Sequence, residues 1–231
     1  MTSRRGLEAE RSPWRPRDAA VAVLAGFAAS IIVLVLLGGE ADAIQLFGLV
    51  VPAQSAGTIA AVWGLAKRRT DWRGALSVSI VGKDAWGLLT GAGLQLGLSL
   101  IAYWVIVGLL GGEAPTQDVV EAVADAIGQG ERLLVFIGVV LLAPVSEEVV
   151  FRGVLLGALR RTRSERFAVV MSAAVFAGVH LLDPNAMLAV PFLFVIGIVT
   201  GRAVVVTGRL GRAIAIHAGF NAVTVLAIFA G

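Results

Sequence analysis

Apolar runs of about twenty residues, the length that crosses roughly 30 Å of hydrocarbon, recur seven times along this chain. They lie near residues 19–38, 44–66, 86–111, 132–159, 167–182, 187–206 and 212–230. Within lipid each segment must satisfy its own backbone N–H and C=O groups, so each run is expected to be a helix. The chain therefore reads as an all-α, polytopic transmembrane bundle of seven to eight helices. Charged residues make up 15% of the sequence, against about a quarter in a soluble domain, and that deficit agrees with membrane insertion.

The charges that are present alternate between the runs. Seventeen of the nineteen basic residues fall before the first run, after the second and fourth, or around the junction of the sixth and seventh, which leaves Arg132 on the opposite side and Arg152 inside the fourth run. By the positive-inside rule the basic side is cytoplasmic, which places the N-terminus inside. This dispersal of Arg and Lys argues against a nucleic-acid partner, which would need one basic patch. The sequence has no cysteine, so disulfides, thiolate nucleophiles and Cys-based metal sites are excluded.

Four stretches follow from this pattern. Residues 1–18 are expected to be a flexible basic cytoplasmic tail, 19–111 a set of N-terminal membrane helices, and 112–131 an acidic extracytoplasmic loop or amphipathic helix. Residues 132–231 carry the unusual polar groups. Glycine pairs four apart (Gly87 and Gly91, Gly93 and Gly97, Gly153 and Gly157, Gly197 and Gly201) are expected to be faces where helices pack closely.

Within the fourth run stands Glu147-Glu148-Val-Val-Phe-Arg152. Ionisable groups at that depth cost several kcal/mol and are kept where they face a cavity and act there. Glu148 and Arg152 are spaced to pair along one helix face, with Glu N-terminal as the favourable order. Glu147 is then left over, turned about 100° round the helix. The chain has two histidines, His180 and His217, and both lie in apolar runs. Phe176 precedes His180 by four residues and Asn221 follows His217 by four, so His217 and Asn221 can project into one cavity.

This set lacks a credible nucleophilic side chain and contains what water activation requires. A buried Glu beside a His can serve as general base toward water, while a His and an Asn on another helix can stabilise a tetrahedral oxyanion. Amide hydrolysis by activated water fits best. A proton-coupled transporter could use the same groups as a relay, but the polar set is concentrated in one half of the chain, without the paired broken helices of an inverted repeat. A non-catalytic scaffold or immunity protein is the third reading.

The three patterns Glu-Glu-x-x-x-Arg, Phe-x-x-x-His and His-x-x-x-Asn, in this order on successive membrane helices, resemble the CPBP family. These are the intramembrane proteases also called the CAAX-protease and bacteriocin-processing family. The resemblance covers residues 130–225 and implies a bundle of about eight helices. It also implies that Glu147 activates water with the help of His180, that His217 and Asn221 form the oxyanion hole, and that Glu148 and Arg152 support the site. No cofactor is favoured. A divalent metal such as zinc is the alternative, with Glu147, His180 and His217 as its ligands. The expected partners are the lipid bilayer and a peptide or membrane-protein substrate. The expected location is a bacterial plasma membrane.

Overall fold

The computed structural model describes residues 12–68, 76, 78–109, 129–182, 187 and 189–230, and every regular element among them is helical. Among the described residues, seven helices are long and apolar enough to cross a membrane. They are α1 (Pro16–Leu36), α2 (Leu46–Lys67), α3 (Gly82–Tyr103), α4 (Gly130–Leu159), α5 (Glu165–Leu182), α6 (Val190–Thr207) and α7 (Gly211–Ala230). The expected loop or amphipathic helix at 112–131 lies outside the described residues, apart from its last three.

Of the tail expected at 1–18, residues 1–11 also lie outside. Residues 12–18 are built into the fold. Pro16 opens α1, where its missing N–H costs nothing, and the Arg15 N–H donates to the Asp18 carboxylate at 2.6 Å. Trp14 is 1% exposed, because its indole packs into the core beside Gly157 near the end of α4 and Arg161 holds its carbonyl at 3.3 Å. The apolar count of this segment is low, which hid one large aromatic anchor.

Helix α4 is central, with contacts to α1, α2, α5, α6 and α7. The apolar windows of α4 and α7 are each 44% buried and that of α3 only 11%, so the first two are inner helices and α3 is peripheral. The large apolar side chains that remain uncovered, such as Leu24, Ile32, Leu89 and Leu100, lie on the outer helices. In a membrane protein such surface faces lipid.

Two prolines shape the inner packing. Wide π-type turns occur at Leu46–Val50 and Phe136–Leu142, directly ahead of Pro52 and Pro144. Proline cannot donate to the preceding turn and its ring presses on the carbonyl four residues back, and a widened turn accommodates both. The widened stretches meet: a side chain at Gly138 would touch Phe47 and Val51, and one at Gly48 would touch Leu134. One turn further on, Ser146 of α4 donates to Ser55 of α2 at 3.3 Å.

The glycine pairs divide. Gly87 and Gly91 lie against the backbone of α7, and Gly219 of α7 lies against Leu88. Gly197 and Gly201 of α6 admit Ala173 and Val169 of α5. Gly153 and Gly157 face Leu76, Leu210, Ser12 and Trp14. Gly93 and Gly97 meet nothing within 4 Å among the described residues, so this pair, unlike the other three, packs against none of them. Gly93 is exposed and Gly97 half-buried on this peripheral helix.

Among the described residues, the basic ends before α1, after α4 and near the end of α6 are joined by contacts of Arg161 with Trp14 and of Arg160 and Arg202 with Glu165. Asp84, fully buried at the start of α3, receives Arg209 through two bonds of 2.8 and 3.2 Å and Arg212 at 3.4 Å. The hydrogen bonds to Asp84 raise the pKa of Arg209 above its usual value. This clamp ties the α6–α7 turn to the foot of α3, as Trp14 and Arg161 tie the N-terminal segment to the α4–α5 turn.

Candidate active site

Glu147, His180, His217 and Asn221 come from α4, α5 and α7 and line one cavity of about 580 Å³. The cavity is bounded on its other side by α1 and α2, through residues that include Val23, Phe27 and Gln54. Its lining is mainly apolar. The few polar groups therefore converge in a medium where each hydrogen bond weighs more than in water.

The adjacent carboxylates occupy different surroundings. The Glu148 side chain is 0% exposed, whereas that of Glu147 is 26% exposed. Glu148 and Arg152 form the intrahelical pair that their spacing allows, with 3.3 Å between Oε2 and Nε. Arg152 is packed over the ring of Phe176, with 4.5 Å from Cζ to the ring centroid, an arrangement that stabilises a desolvated cation. Gly197 makes room for it, since a side chain there would come within 3.2 Å of Nη2.

His217 bridges the two carboxylates. Its Nδ1 lies 2.9 Å from Oε1 of Glu148, and its Nε2 lies 3.6 Å from Oε2 of Glu147. A carboxylate paired with Arg152 accepts from Nδ1–H, which fixes the tautomer and turns Nε2 toward Glu147. His180 is oriented differently. Its Nδ1 lies 2.9 Å from the Phe176 carbonyl; a carbonyl only accepts, so Nδ1 carries the proton and Nε2 of the neutral ring is an acceptor. Among the described residues, His217 and not His180 is the histidine within 4 Å of Glu147.

Asn221 donates from Nδ2 to the Val139 carbonyl at 2.9 Å. That bond is available because Val139 lies within the wide turn before Pro144, and it leaves the second N–H and the oxygen of the amide without a partner among the described residues. Phe176, fully buried, is the hub of the cluster. Its ring centroid lies 5.2 Å from that of Phe151, 5.0 Å from His180 and 5.6 Å from His217, all edge-on. Ser172 of α5 locks this part of α4 by donating to the Phe151 carbonyl at 2.7 Å.

Glu147, His180 and His217, the set a divalent metal would use, do not come together as one ligand group. No three His, Asp or Glu side chains do so among the described residues.

Residues 129–223, which carry all of these groups, match the family model described as type II CAAX prenyl endopeptidase Rce1-like. Over this segment the chain is similar to the CAAX-protease, or CPBP, family. The matched segment comprises α4, α5, α6 and most of α7, and α1 to α3 lie outside the match. No curated protein and no solved structure gives a significant match.

Sequence reasoning missed two parts of the site. The bond between Glu148 and His217 joins residues 69 apart on different helices, and no local spacing encodes it. The polar residues Gln54, Ser55 and Thr58 of α2 also line the cavity. They were visible as polar groups in an apolar run, the same signal that drew attention to Glu147.

Proposed function

We propose that this protein is an intramembrane endopeptidase that hydrolyses a peptide bond of a membrane-associated or lipidated peptide without a metal. The observation that carries the reading is a partly open carboxylate, Glu147, facing a ring whose other nitrogen is held by a fully buried second carboxylate. Glu147 removes a proton from water as the oxygen attacks the scissile carbonyl carbon, and the same proton then passes to the departing amine. His217, held by Glu148, stands beside Glu147 and steadies the proton there. His180 offers Nε2 as an acceptor that orients the attacking water. Asn221 offers its free N–H to the oxyanion of the tetrahedral intermediate.

The apolar lining suits a lipid chain or apolar side chains near the cleaved bond. The family name points to prenylated CAAX termini as one such substrate class. The basic side is read as cytoplasmic, in a bacterial plasma membrane.

The test is cleavage of a quenched fluorescent peptide library by the purified protein in liposomes, with and without a strong chelator. Turnover that survives the chelator and disappears in Glu147→Ala is the expected result. Turnover abolished by the chelator would replace this reading with a metal-dependent one, and turnover unchanged in Glu147→Ala would end the assignment of the site.

A further inference from the structure

Gln54 is a primary amide in the middle of a membrane helix, a position that is costly unless the group faces something polar. Its neighbours on α2 are accounted for by packing. Ser55 is buried and bonded to Ser146, and Thr58 is buried against Gly26. Gln54 differs. It is exposed, it lines the cavity that contains Glu147, and its amide makes no hydrogen bond to any described residue. Its stem is nonetheless placed, because Cγ passes over Gly26 of α1, where a Cβ would be only 3.4 Å away.

An extended peptide brought to Glu147 carries an N–H and a C=O per residue into a mainly apolar cavity. Each of these that finds no partner costs about 1–3 kcal/mol. In the proposed mechanism the groups of the matched segment serve the scissile carbonyl and the water, so the flanking peptide groups need another partner. An amide, with two donors and an acceptor, matches one N–H and one C=O of a peptide backbone.

We infer that Gln54 hydrogen-bonds the substrate's backbone beside the scissile bond and positions it against Glu147. The inference rests on the endopeptidase reading. It assigns substrate positioning to α2, outside the segment matched to the family.

The test uses a fluorescent farnesylated peptide with a CAAX terminus, bound in liposomes to full-length protein carrying Glu147→Gln so that binding is read without cleavage. Adding Gln54→Leu is expected to raise Kd about three- to tenfold, the worth of one hydrogen bond, with unchanged melting because Gln54 is exposed and unbonded. N-methylating the peptide's amides one at a time should reproduce that loss at a single position. The loss at that position should vanish once Gln54→Leu is present. Equal Kd with and without Gln54→Leu would overturn the inference, as would N-methyl effects that persist at every position or no binding at all. Binding that depends on Gln54, together with no cleavage by the unmutated protein, would count against the endopeptidase reading and reduce the role of Gln54 to holding a bound peptide's backbone.

Discussion

His217 and Glu148 are joined by a 2.9 Å hydrogen bond across the interface of α7 and α4, so the carboxylate that cannot reach the cavity sets the orientation of the ring that does. Neighbours in sequence thereby take separate parts. Glu148 is the fully buried anchor, shared by His217 and Arg152, and Glu147 is the group open to a ligand. A π-type turn at Val149–Leu155 follows directly, and such widened turns recur at functional sites because they re-aim side chains along a helix.

Glu147→Gln keeps the shape of the side chain and removes its basicity. Because Glu147 is partly exposed and holds no buried partner closer than 3.6 Å, the melting temperature should stay within about 2 °C, the scale of a surface change in a protein of this size. The cleavage rate should fall by about 10²- to 10⁴-fold, the range for loss of a general base. Parallel melts and single-turnover assays in the same detergent check both halves.

Asn221→Ala removes an N–H available to an oxyanion and also the bond to Val139. The expected result is a loss of about 10²-fold or more in kcat with little change in KM, since an oxyanion donor acts in the transition state. Asn221→Asp should be at least as damaging, because it puts a charge where negative charge develops. A rise in KM at constant kcat would mean that Asn221 binds substrate in its ground state instead.

Much of this architecture follows from local features of the sequence. Seven apolar runs gave seven helices, and the spacing of Glu148 and Arg152 corresponds to an ion pair within one helix. Long-range partnerships were not legible, for a physical reason. Helices α4 and α7 are apolar nearly all round, so periodicity does not say which face meets which neighbour. The meeting of Glu148 with His217, or of Asp84 with Arg209 and Arg212, is set by helix crossing. The same limit separates Gly91 from Gly93. Both belong to pairs four apart, and only the crossing of α3 with α7 decides which pair is covered.

That difference is measurable. A side chain at Gly91 would lie 2.7 Å from the Phe220 nitrogen and closer still to the Ile216 carbonyl, whereas one at Gly93 meets nothing within 4 Å among the described residues. Gly91→Val should therefore push α3 from α7 and cost about 1–3 kcal/mol or more, and activity should fall with it because α7 carries His217. Gly93→Val should leave both stability and activity near those of the parent. Thermal melts and cleavage rates of the two variants decide the matter, and equal effects would contradict the α3–α7 interface.

Glu148→Ala separates the structural part of the site from the chemical one. It would strand Arg152, which is 2% exposed and has Glu148 as its only ion-pair partner among the described residues. Removing one member of a buried pair costs about 3–5 kcal/mol, so a large drop in melting temperature is expected. Adding Arg152→Met removes the stranded charge, and replacing a whole buried pair by apolar side chains is often close to neutral, so the double variant should recover most of that drop. It should not recover activity. His217 would still lack the acceptor for Nδ1–H, its ring would no longer be held toward Glu147, and kcat should stay at the level of Glu148→Ala. If the double variant regained activity along with stability, Glu148 would act only through Arg152, and the bond to His217 would have no part in orienting the site.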